Sequence, residues 1–311
     1  MILSHQTNNS MPINKKFELL LKTKSKFTII LGTGFHQHFL GADSILSSWK
    51  LLLQKFSPET KLTGEFHLDF EKIIEAEKTT CEDSSKTEES LINGVKELLQ
   101  KEQERILENC STCYPTWLFN SKYVSDVISL NFDEVPEKLL EKRDGVIAGK
   151  FVNHSSYAKS KKDSYKYLST RYKQFDFGKD KVIRFWHPHG SIEQKDKIIL
   201  GLHRYSYMLE TAISIRNHHM QHKRLDKIDN TWYFRIIDNP VLILGAGLSP
   251  TEWDIWYALV SRNRANDKKH PIFQMRECEC KNDAQHQWFE PLFTGIKFDE
   301  QWKKLEKLFK S

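Results

Sequence analysis

The chain has 311 residues, of which 39% are hydrophobic and 28% are charged, and its formal net charge is +6. This length suits one large domain or a domain with a sizeable insertion. No apolar run is long enough to cross a bilayer, and the first residues, MILSHQTNNSMPINKK, lack the apolar segment of a secretory signal. The composition therefore excludes a membrane-spanning class and predicts a soluble, cytoplasmic protein.

The cysteine content argues against a disulfide framework. An odd number of cysteines in a chain without a secretory signal favours reduced thiols. The cysteines are Cys81, Cys110, Cys113, Cys278 and Cys280. Cys110 and Cys113 have the spacing of half a zinc site, but the second close pair has only one intervening residue. We therefore expect no metal.

An apolar, strand-like segment, Phe27 to Leu31, runs directly into Gly32 and Gly34. A glycine turn between a buried strand and a helix exposes backbone amides, and the helix N-terminus adds a favourable field for a pyrophosphate. Gln37 replaces the third glycine of the usual fingerprint, so an ordinary strand-to-helix turn is an equally good interpretation of this segment alone.

Hydrophobic periodicity predicts a mixture of helices and strands in the rest of the chain. Helices are predicted at 17–21, 44–56, 69–77, 90–109 and 192–215. Further strands are predicted at 123–130, 181–186, 231–237 and 240–244. The polar, acidic stretch 79–89 is expected to be an exposed loop, and the final residues, EQWKKLEKLFK, an amphipathic helix packed on the core.

Two of the predicted strands end in polar residues, Asn131 and Asp133 after the first, and His187 and His189 after the second. In an open parallel sheet the ligand crevice lies outside the carboxyl ends of the strands, which makes these residues candidates for binding and catalysis. Histidine titrates near neutrality and suits a general base. Helix capping remains an alternative for both pairs, and metal binding for the histidines.

Basic residues are concentrated between Lys159 and Arg184, where they alternate with aromatic residues. Such a mixture can bind nucleic acid through phosphate contacts and base stacking. We favour a solvated loop, and nucleic acid stays an alternative partner.

Four ordered motifs resemble the sirtuin-like family, in its divergent bacterial branch. The motifs are GTGF at 32–35, SLNFD at 129–133, HPHG at 187–190 and LGAGLS at 244–249. The resemblance implies an α/β fold with a Rossmann-like parallel sheet, an inserted helical module at 75–122, and NAD as the ligand. It divides the chain into an N-terminal helix and tail (1–26), an NAD-binding catalytic domain (27–270) and a C-terminal extension (271–311).

The resemblance also implies roles for individual residues. Asn131 and His189 would be catalytic, with Asn131 and Asp133 facing the nicotinamide ribose and carboxamide. The first glycine turn would contact the pyrophosphate through Gly32, Thr33, Gly34 and Phe35. The second glycine turn would hold the adenosine half through Gly245, Gly247 and Ser249.

The implied activity is cleavage of NAD to nicotinamide and ADP-ribose. Sirtuin deacylases carry two Cys-x-x-Cys pairs after the catalytic histidine, and nothing comparable follows His189. The branch that the chain resembles consists of NAD-cleaving effectors of bacterial anti-phage defence, restrained by assembly. We therefore expect a homo-oligomer or a regulatory protein partner encoded nearby, such as an ATPase, and no membrane partner. Alternatives are an NAD- or ADP-ribose-binding sensor without turnover and an NAD-dependent deacylase.

Overall fold

The computed structural model describes residues 13–78, 84–109, 114–153, 171–178, 180–194, 198–222, 231–249, 252–264, 270–276, 288–294 and 296–311. The strands in these ranges are β1 (Phe27–Leu31), β2 (Val124–Ser129), β3 (Ile147–Asn153), β4 (Arg171–Asp176), β5 (Val182–Trp186), β6 (Val241–Leu244), β7 (Ile272–Gln274) and β8 (Glu290–Pro291). They form an eight-stranded sheet with the order β3-β4-β5-β2-β1-β6-β7-β8.

The sheet is parallel except at one edge. β1 pairs in parallel with β2 on one side and with β6 on the other, and β5, β7 and β8 continue in the same direction. At the edge beyond β5, the strand β4 runs antiparallel to both of its neighbours, β5 and β3. Every residue of β1 is buried, as expected for the central strand of a parallel sheet that is covered on both faces. This is a Rossmann-like α/β fold, which confirms the predicted fold class.

Helices cover both faces of the sheet. Because successive side chains of a strand point to opposite faces, Ile29 belongs to one hydrophobic core and Ile30 to the other. The helices are Lys15–Lys22, Thr33–Leu40, Trp49–Phe56, Phe66–Lys78, Ser84–Asn109, Thr116–Phe119, Val135–Glu141, Leu202–His222, Trp232–Asp238, Trp253–Arg264 and Phe298–Lys310, with a 3-10 turn at Ile45–Ser47. None of these helices is long and apolar enough to cross a membrane.

Residues 231–237 form a helix, so the strand predicted there is wrong. The helix Trp232–Asp238 begins after Thr231, whose Oγ1 accepts a hydrogen bond from the amide of Phe234 at 3.3 Å. Trp232 and Phe234 are buried against the sheet. A short run of buried aromatic residues fits either type of element, and here the cap selects the helix.

The predicted loop 79–89 is also wrong where the structure describes it. Ser84–Asn109 is one continuous helix, and residues 79–83 lie outside the described ranges. The polar start of this helix is held by an ion pair between Glu88 and Arg204, whose Oε1 and Nε atoms are 2.6 Å apart. Its polarity reflects exposure on the surface, because helices exposed on one face need few apolar residues there.

The helix predicted from residue 192 begins only at Leu202. Gly201 precedes it with a φ of +77°, a left-handed conformation that glycine adopts without strain. Glu71 Oε1 accepts a hydrogen bond from the Leu202 amide at 2.7 Å and caps the helix from a distant part of the chain. Sequence periodicity alone could not reveal this long-range cap.

The chain after residue 270, predicted as a C-terminal extension, contributes to both sheet and core. β7 and β8 extend the sheet beyond β6, so the predicted boundary falls within one sheet. In the helix Phe298–Lys310, Trp302 and Phe309 are buried. The Trp302 ring lies 5.5 Å from Phe35, and the Phe309 ring 6.3 Å from Phe17.

The basic stretch predicted as a solvated loop is described only from Arg171 onward, where it forms β4 and β5, and residues 159–170 lie outside the described ranges. Lys173 on β4 is buried, with its Nζ 3.1 Å from Glu134 Oε2 and 2.8 Å from Glu141 Oε1. The solvated interpretation is therefore wrong for Lys173, whose charge is neutralised inside the protein.

Candidate active site

A cavity lies at the carboxyl ends of β1, β2, β5 and β6, the edge at which open parallel sheets bind ligands. Its volume is about 180 Å³, far more than the roughly 10–15 Å³ that one water molecule needs. The residues that line it are Gly32, Thr33, Trp49, Gly64, Phe66, His67, Leu130, Phe132, His189, Gly245, Ala246, Gly247, Leu248, Ser249 and Glu252. Of the predicted site residues, the cavity thus brings together His189 and members of both glycine turns.

The two glycine turns pack directly on each other. The Gly34 amide donates a hydrogen bond to the Gly245 carbonyl oxygen at 2.8 Å, and the Gly32 amide donates to the Leu244 oxygen at 3.2 Å. A Cβ on Gly34 would lie only 2.8 Å from that same Gly245 oxygen. Gly245 has a φ of +64°, and a Cβ there would lie 1.9 Å from the Phe35 amide nitrogen. Close backbone contact therefore requires glycine at these positions.

This packing leaves one amide of the first turn available to a ligand. Among the described residues, the Thr33 amide makes no hydrogen bond, and Thr33 lines the cavity at the start of the helix Thr33–Leu40. Gly34 and Phe35, both predicted to contact pyrophosphate, do not line the cavity. Phe35 is fully buried, with its ring 5.4 Å from Tyr114 and 5.2 Å from Phe39. These two residues build the turn and the core beneath it.

Gly247 and Ser249 form the opposite wall. Nothing lies within 4 Å of the position that a Cβ would take on Gly247, so open space adjoins this residue. Ser249 Oγ donates a hydrogen bond to Glu65 Oε2 at 3.1 Å, and its carbonyl accepts one from the Trp256 indole at 3.1 Å. The second turn is thereby fixed to Glu65, just before the helix Phe66–Lys78, and to the helix Trp253–Arg264.

Asp133 is turned away from the cavity. Its Oδ2 lies 2.9 Å from His36 Nε2, and its Oδ1 accepts a hydrogen bond from the Val135 amide at 3.1 Å. Burial alone would raise the pKa of Asp133, but the charge and hydrogen bond of His36 outweigh it and hold the pKa below its ordinary value. The structure therefore places Asp133 in a buried ion pair, not facing a ligand in this cavity.

Asn131 is buried and does not line the cavity either. Its carbonyl oxygen accepts a hydrogen bond from His187 Nδ1 at 3.2 Å, while His187 Nε2 lies 2.6 Å from Glu137 Oε1. Burial alone would lower the pKa of His187, but the Glu137 carboxylate raises it to about 9. His187 is therefore a buried cation that holds the end of β2 to the helix Val135–Glu141. The Asn131 Oδ1 atom has no hydrogen-bond partner among the described residues.

His189 lies on the cavity wall within a second buried ion pair. Its Nε2 is 3.2 Å from Asp254 Oδ2, and the Tyr205 hydroxyl donates a short hydrogen bond to Asp254 Oδ1. Burial alone would lower the pKa of His189, but the Asp254 carboxylate outweighs this effect and raises it. The pKa of Asp254 is lowered, because His189 and Tyr205 outweigh its burial.

The Nε2 atom of His189 carries a hydrogen, because the Asp254 carboxylate oxygen that it contacts only accepts hydrogen bonds. The Asp254 carboxylate also raises the pKa of the ring, which favours its imidazolium form. An imidazolium has no free lone pair for a proton. In this arrangement His189 supplies positive charge to the cavity, which differs from the general-base role predicted from the sequence.

Glu252 is a candidate base that the sequence analysis did not select. It lines the cavity just before the helix Trp253–Arg264, and its amide donates a hydrogen bond to the Ser249 carbonyl at 2.9 Å. Burial raises the pKa of Glu252 to about 7; His189 opposes this rise and Asp254 adds to it. A carboxylate with this pKa can accept a proton near neutrality. The sequence does contain a signal for this residue: Glu252 and Asp254 are two residues apart and follow the second glycine turn closely.

The remaining wall combines aromatic rings with a neutral histidine. The rings of Trp49 and Phe132 lie 4.7 Å apart, and Phe66 lies 5.0 Å from Trp49. Burial lowers the pKa of His67 to about 4, so this residue is neutral. Its buried Nδ1 has no hydrogen-bond partner among the described residues, and its ring stacks 4.2 Å from Tyr205. A ligand here would meet flat apolar surfaces beside a neutral imidazole.

The described residues contain no group of three or more His, Cys, Asp or Glu side chains that could hold a metal ion, and all the cysteines lie outside the described ranges. In comparisons with known proteins, no family model matches the chain and no curated protein has a significantly similar sequence.

Proposed function

We propose that the protein is an NAD glycohydrolase, which releases nicotinamide from NAD and leaves ADP-ribose. The observation that carries the proposal is one cavity, at the carboxyl edge of a parallel sheet, that contains glycine turns, a charged His189–Asp254 pair and the Glu252 carboxyl. A resemblance of four ordered motifs to the sirtuin-like family supports the same substrate.

The cavity wall suits a dinucleotide in several respects. The free Thr33 amide begins a helix, where the backbone favours a phosphate oxygen. The rings of Trp49 and Phe66 offer faces to a planar base. Neither lysine nor arginine is among the described lining residues. Phosphate charge would therefore be balanced by the helix N-terminus and by the His189 imidazolium.

The chain supplies the groups that hydrolysis of an N-glycosidic bond requires. Glu252, in its ionised form, removes a proton from a water molecule as the water oxygen bonds to the ribose carbon. The electron pair of the broken bond leaves with nicotinamide, which departs as a neutral molecule. The imidazolium of His189 stabilises the Glu252 carboxylate before the reaction, and Asp254 with Tyr205 keeps that imidazolium protonated.

An effector role in bacterial anti-phage defence, by depletion of NAD, rests on the family resemblance alone. An enzyme that destroys NAD harms its own cell, so we expect its activity to depend on a homo-oligomer or on a regulatory protein encoded nearby, such as an ATPase.

A second candidate function is NAD or ADP-ribose binding without turnover. It is favoured by the buried ion pair of His189 with Asp254, because a protonated ring cannot act as a base. The two functions share a ligand and differ in whether nicotinamide is released.

The test is incubation of the purified protein with NAD, alone and with the proteins encoded beside it, with nicotinamide and ADP-ribose measured by chromatography. The comparison variants are His189→Ala and, as a matched control, His203→Ala, because His203 is exposed and outside the cavity. Release by the parent and by His203→Ala but not by His189→Ala is expected. Binding of NAD with no release under any condition favours the sensor, and the absence of binding refutes both functions.

A further inference from the structure

A second pocket lies at the opposite edge of the sheet, where β2 begins. It is lined by Tyr114, Thr116, Trp117, Asn120, Ser121, Lys122, Arg143, Glu306, Phe309, Lys310 and Ser311. From Lys122 to Leu130 on the wall of the candidate active site, the chain spans roughly 25 Å, at about 3.3 Å per residue. The two cavities are therefore separate sites.

Positive charge is concentrated around this pocket. Lys122, Arg143 and Lys310 line it, while Lys26 and Lys181 flank it. Lys26 Nζ donates a hydrogen bond to the Lys122 carbonyl at 2.6 Å, and Lys181 Nζ donates to Asn120 Oδ1 at 3.3 Å.

Most of this charge is not neutralised by the protein. Among the described residues, Lys26, Arg143 and Lys181 form no ion pair with a carboxylate. Lys310 pairs with Glu306 at 2.5 Å, and Lys122 Nζ donates a hydrogen bond to a Ser311 oxygen at 3.1 Å. Burial, together with repulsion from Lys26 and Arg143, lowers the pKa of Lys181 to about 8. An anion bound among these cations would relieve that repulsion.

The same pocket offers a flat aromatic surface and polar side chains. Trp117 is half-buried, with its ring 6.3 Å from the buried ring of Phe309. Thr116 and Asn120 also line the pocket and supply hydroxyl and amide groups. A tryptophan face beside several cations is the combination that binds a base and its phosphates together.

We propose that this basic pocket binds a small nucleotide, with its phosphates held by Arg143, Lys122 and Lys181 and its base placed against Trp117. Arginine suits this role because its planar group can donate two hydrogen bonds to one phosphate. The proposal does not depend on the function of the cavity that contains His189.

The test is isothermal titration calorimetry of the full chain with ADP, inorganic pyrophosphate and adenosine as separate probes. The variant Arg143→Gln/Lys181→Gln removes two cations, and the charge-matched control Lys101→Gln/Lys303→Gln removes two exposed lysines outside both cavities. We expect ADP and pyrophosphate to bind at least about tenfold more weakly to the first variant than to the control. Equal affinity of the two variants for both probes would refute the proposal.

A second variant, Trp117→Leu, tests the position of the base. We expect it to weaken ADP binding several-fold while pyrophosphate binding stays that of the parent, because only ADP has a base to stack. An equal loss for both probes would refute the stacking role. A single-stranded oligonucleotide without a terminal phosphate is a further probe. If it binds more tightly than ADP, the ligand of this pocket is nucleic acid and the small-nucleotide proposal is wrong. NAD cleavage is not part of the readout, so failure here leaves the proposed enzyme activity unaffected.

Discussion

His187 and His189 lie two residues apart in one turn, both are buried, and a carboxylate raises the pKa of each. Their surroundings nevertheless differ. His187 joins Glu137 inside the protein, away from the cavity, while His189 joins Asp254 on the cavity wall. One pair supports the edge of the sheet and the other presents charge to a ligand. The same residue type in one motif thus serves structure at one position and the candidate site at the other.

Removal of the supporting histidine should have the largest effect on stability. His187→Ala leaves the Glu137 carboxylate buried without its cation, which costs about 3–5 kcal/mol of unfolding free energy. His189→Ala should cost less, because Asp254 keeps the Tyr205 hydroxyl and water can enter from the cavity. Urea denaturation at pH 7 measures both. A loss below about 1 kcal/mol in His187→Ala would contradict the supporting role.

The pH dependence of stability sharpens the contrast. The pKa of His187 rises from 6.5 to about 9 in the folded protein. Its contribution is therefore complete below pH 6.5 and is lost as the pH rises through about 9, with a maximum of about 3 kcal/mol. Denaturation of the parent and of His187→Gln should give a difference that shrinks at alkaline pH. A constant difference across that range would rule out this linkage.

Glu252 and Glu137 should differ in their effect on stability, because one lines the cavity and the other pairs with His187 inside the protein. The pKa of Glu252 rises from 4.5 to about 7, so the folded protein loses stability as the pH rises between these values. Glu252→Gln removes this loss and should stabilise the protein at pH 8 by about 3 kcal/mol, with little effect near pH 4.5. Glu137→Gln should destabilise it at both pH values. Destabilisation by Glu252→Gln at pH 8 would show that Glu252 is structural.

A smaller contrast is expected between two glycines. Gly34→Ala places a Cβ 2.8 Å from the Gly245 carbonyl oxygen and should cost about 1–3 kcal/mol. Gly247→Ala meets no atom within 4 Å and should change stability by less than about 0.5 kcal/mol. Thermal unfolding of both variants checks this order, and equal losses would contradict the packing of the two turns.

The sequence was sufficient to predict the central strands and the edge of the sheet that carries the cavity. Each of the strands β1, β2, β5 and β6 is a largely apolar segment followed by glycine or polar residues. The local order of residues is therefore enough to recognise these strands. β3, β4, β7 and β8 were not predicted, because short or polar strands are defined by their neighbours in the sheet.

The direction of each side chain could not be predicted. Asn131 and Asp133 follow β2 as expected, yet Asp133 meets His36 of the helix Thr33–Leu40 and points away from the cavity. The pKa of Glu252 is raised by burial and by the Asp254 carboxylate, while His189 opposes the rise. Such contacts between distant segments appear only in the folded chain.

The most direct test of the proposed chemistry is the pH profile of nicotinamide release by the parent and by Glu252→Gln. The parent rate should rise with pH through about 7, as Glu252 loses its proton. Glu252→Gln should bind NAD but release nicotinamide about 10²–10⁴-fold more slowly. Release by Glu252→Gln at the parent rate, or a parent rate that stays flat between pH 5.5 and 8.5, would contradict the assignment of Glu252 as the base.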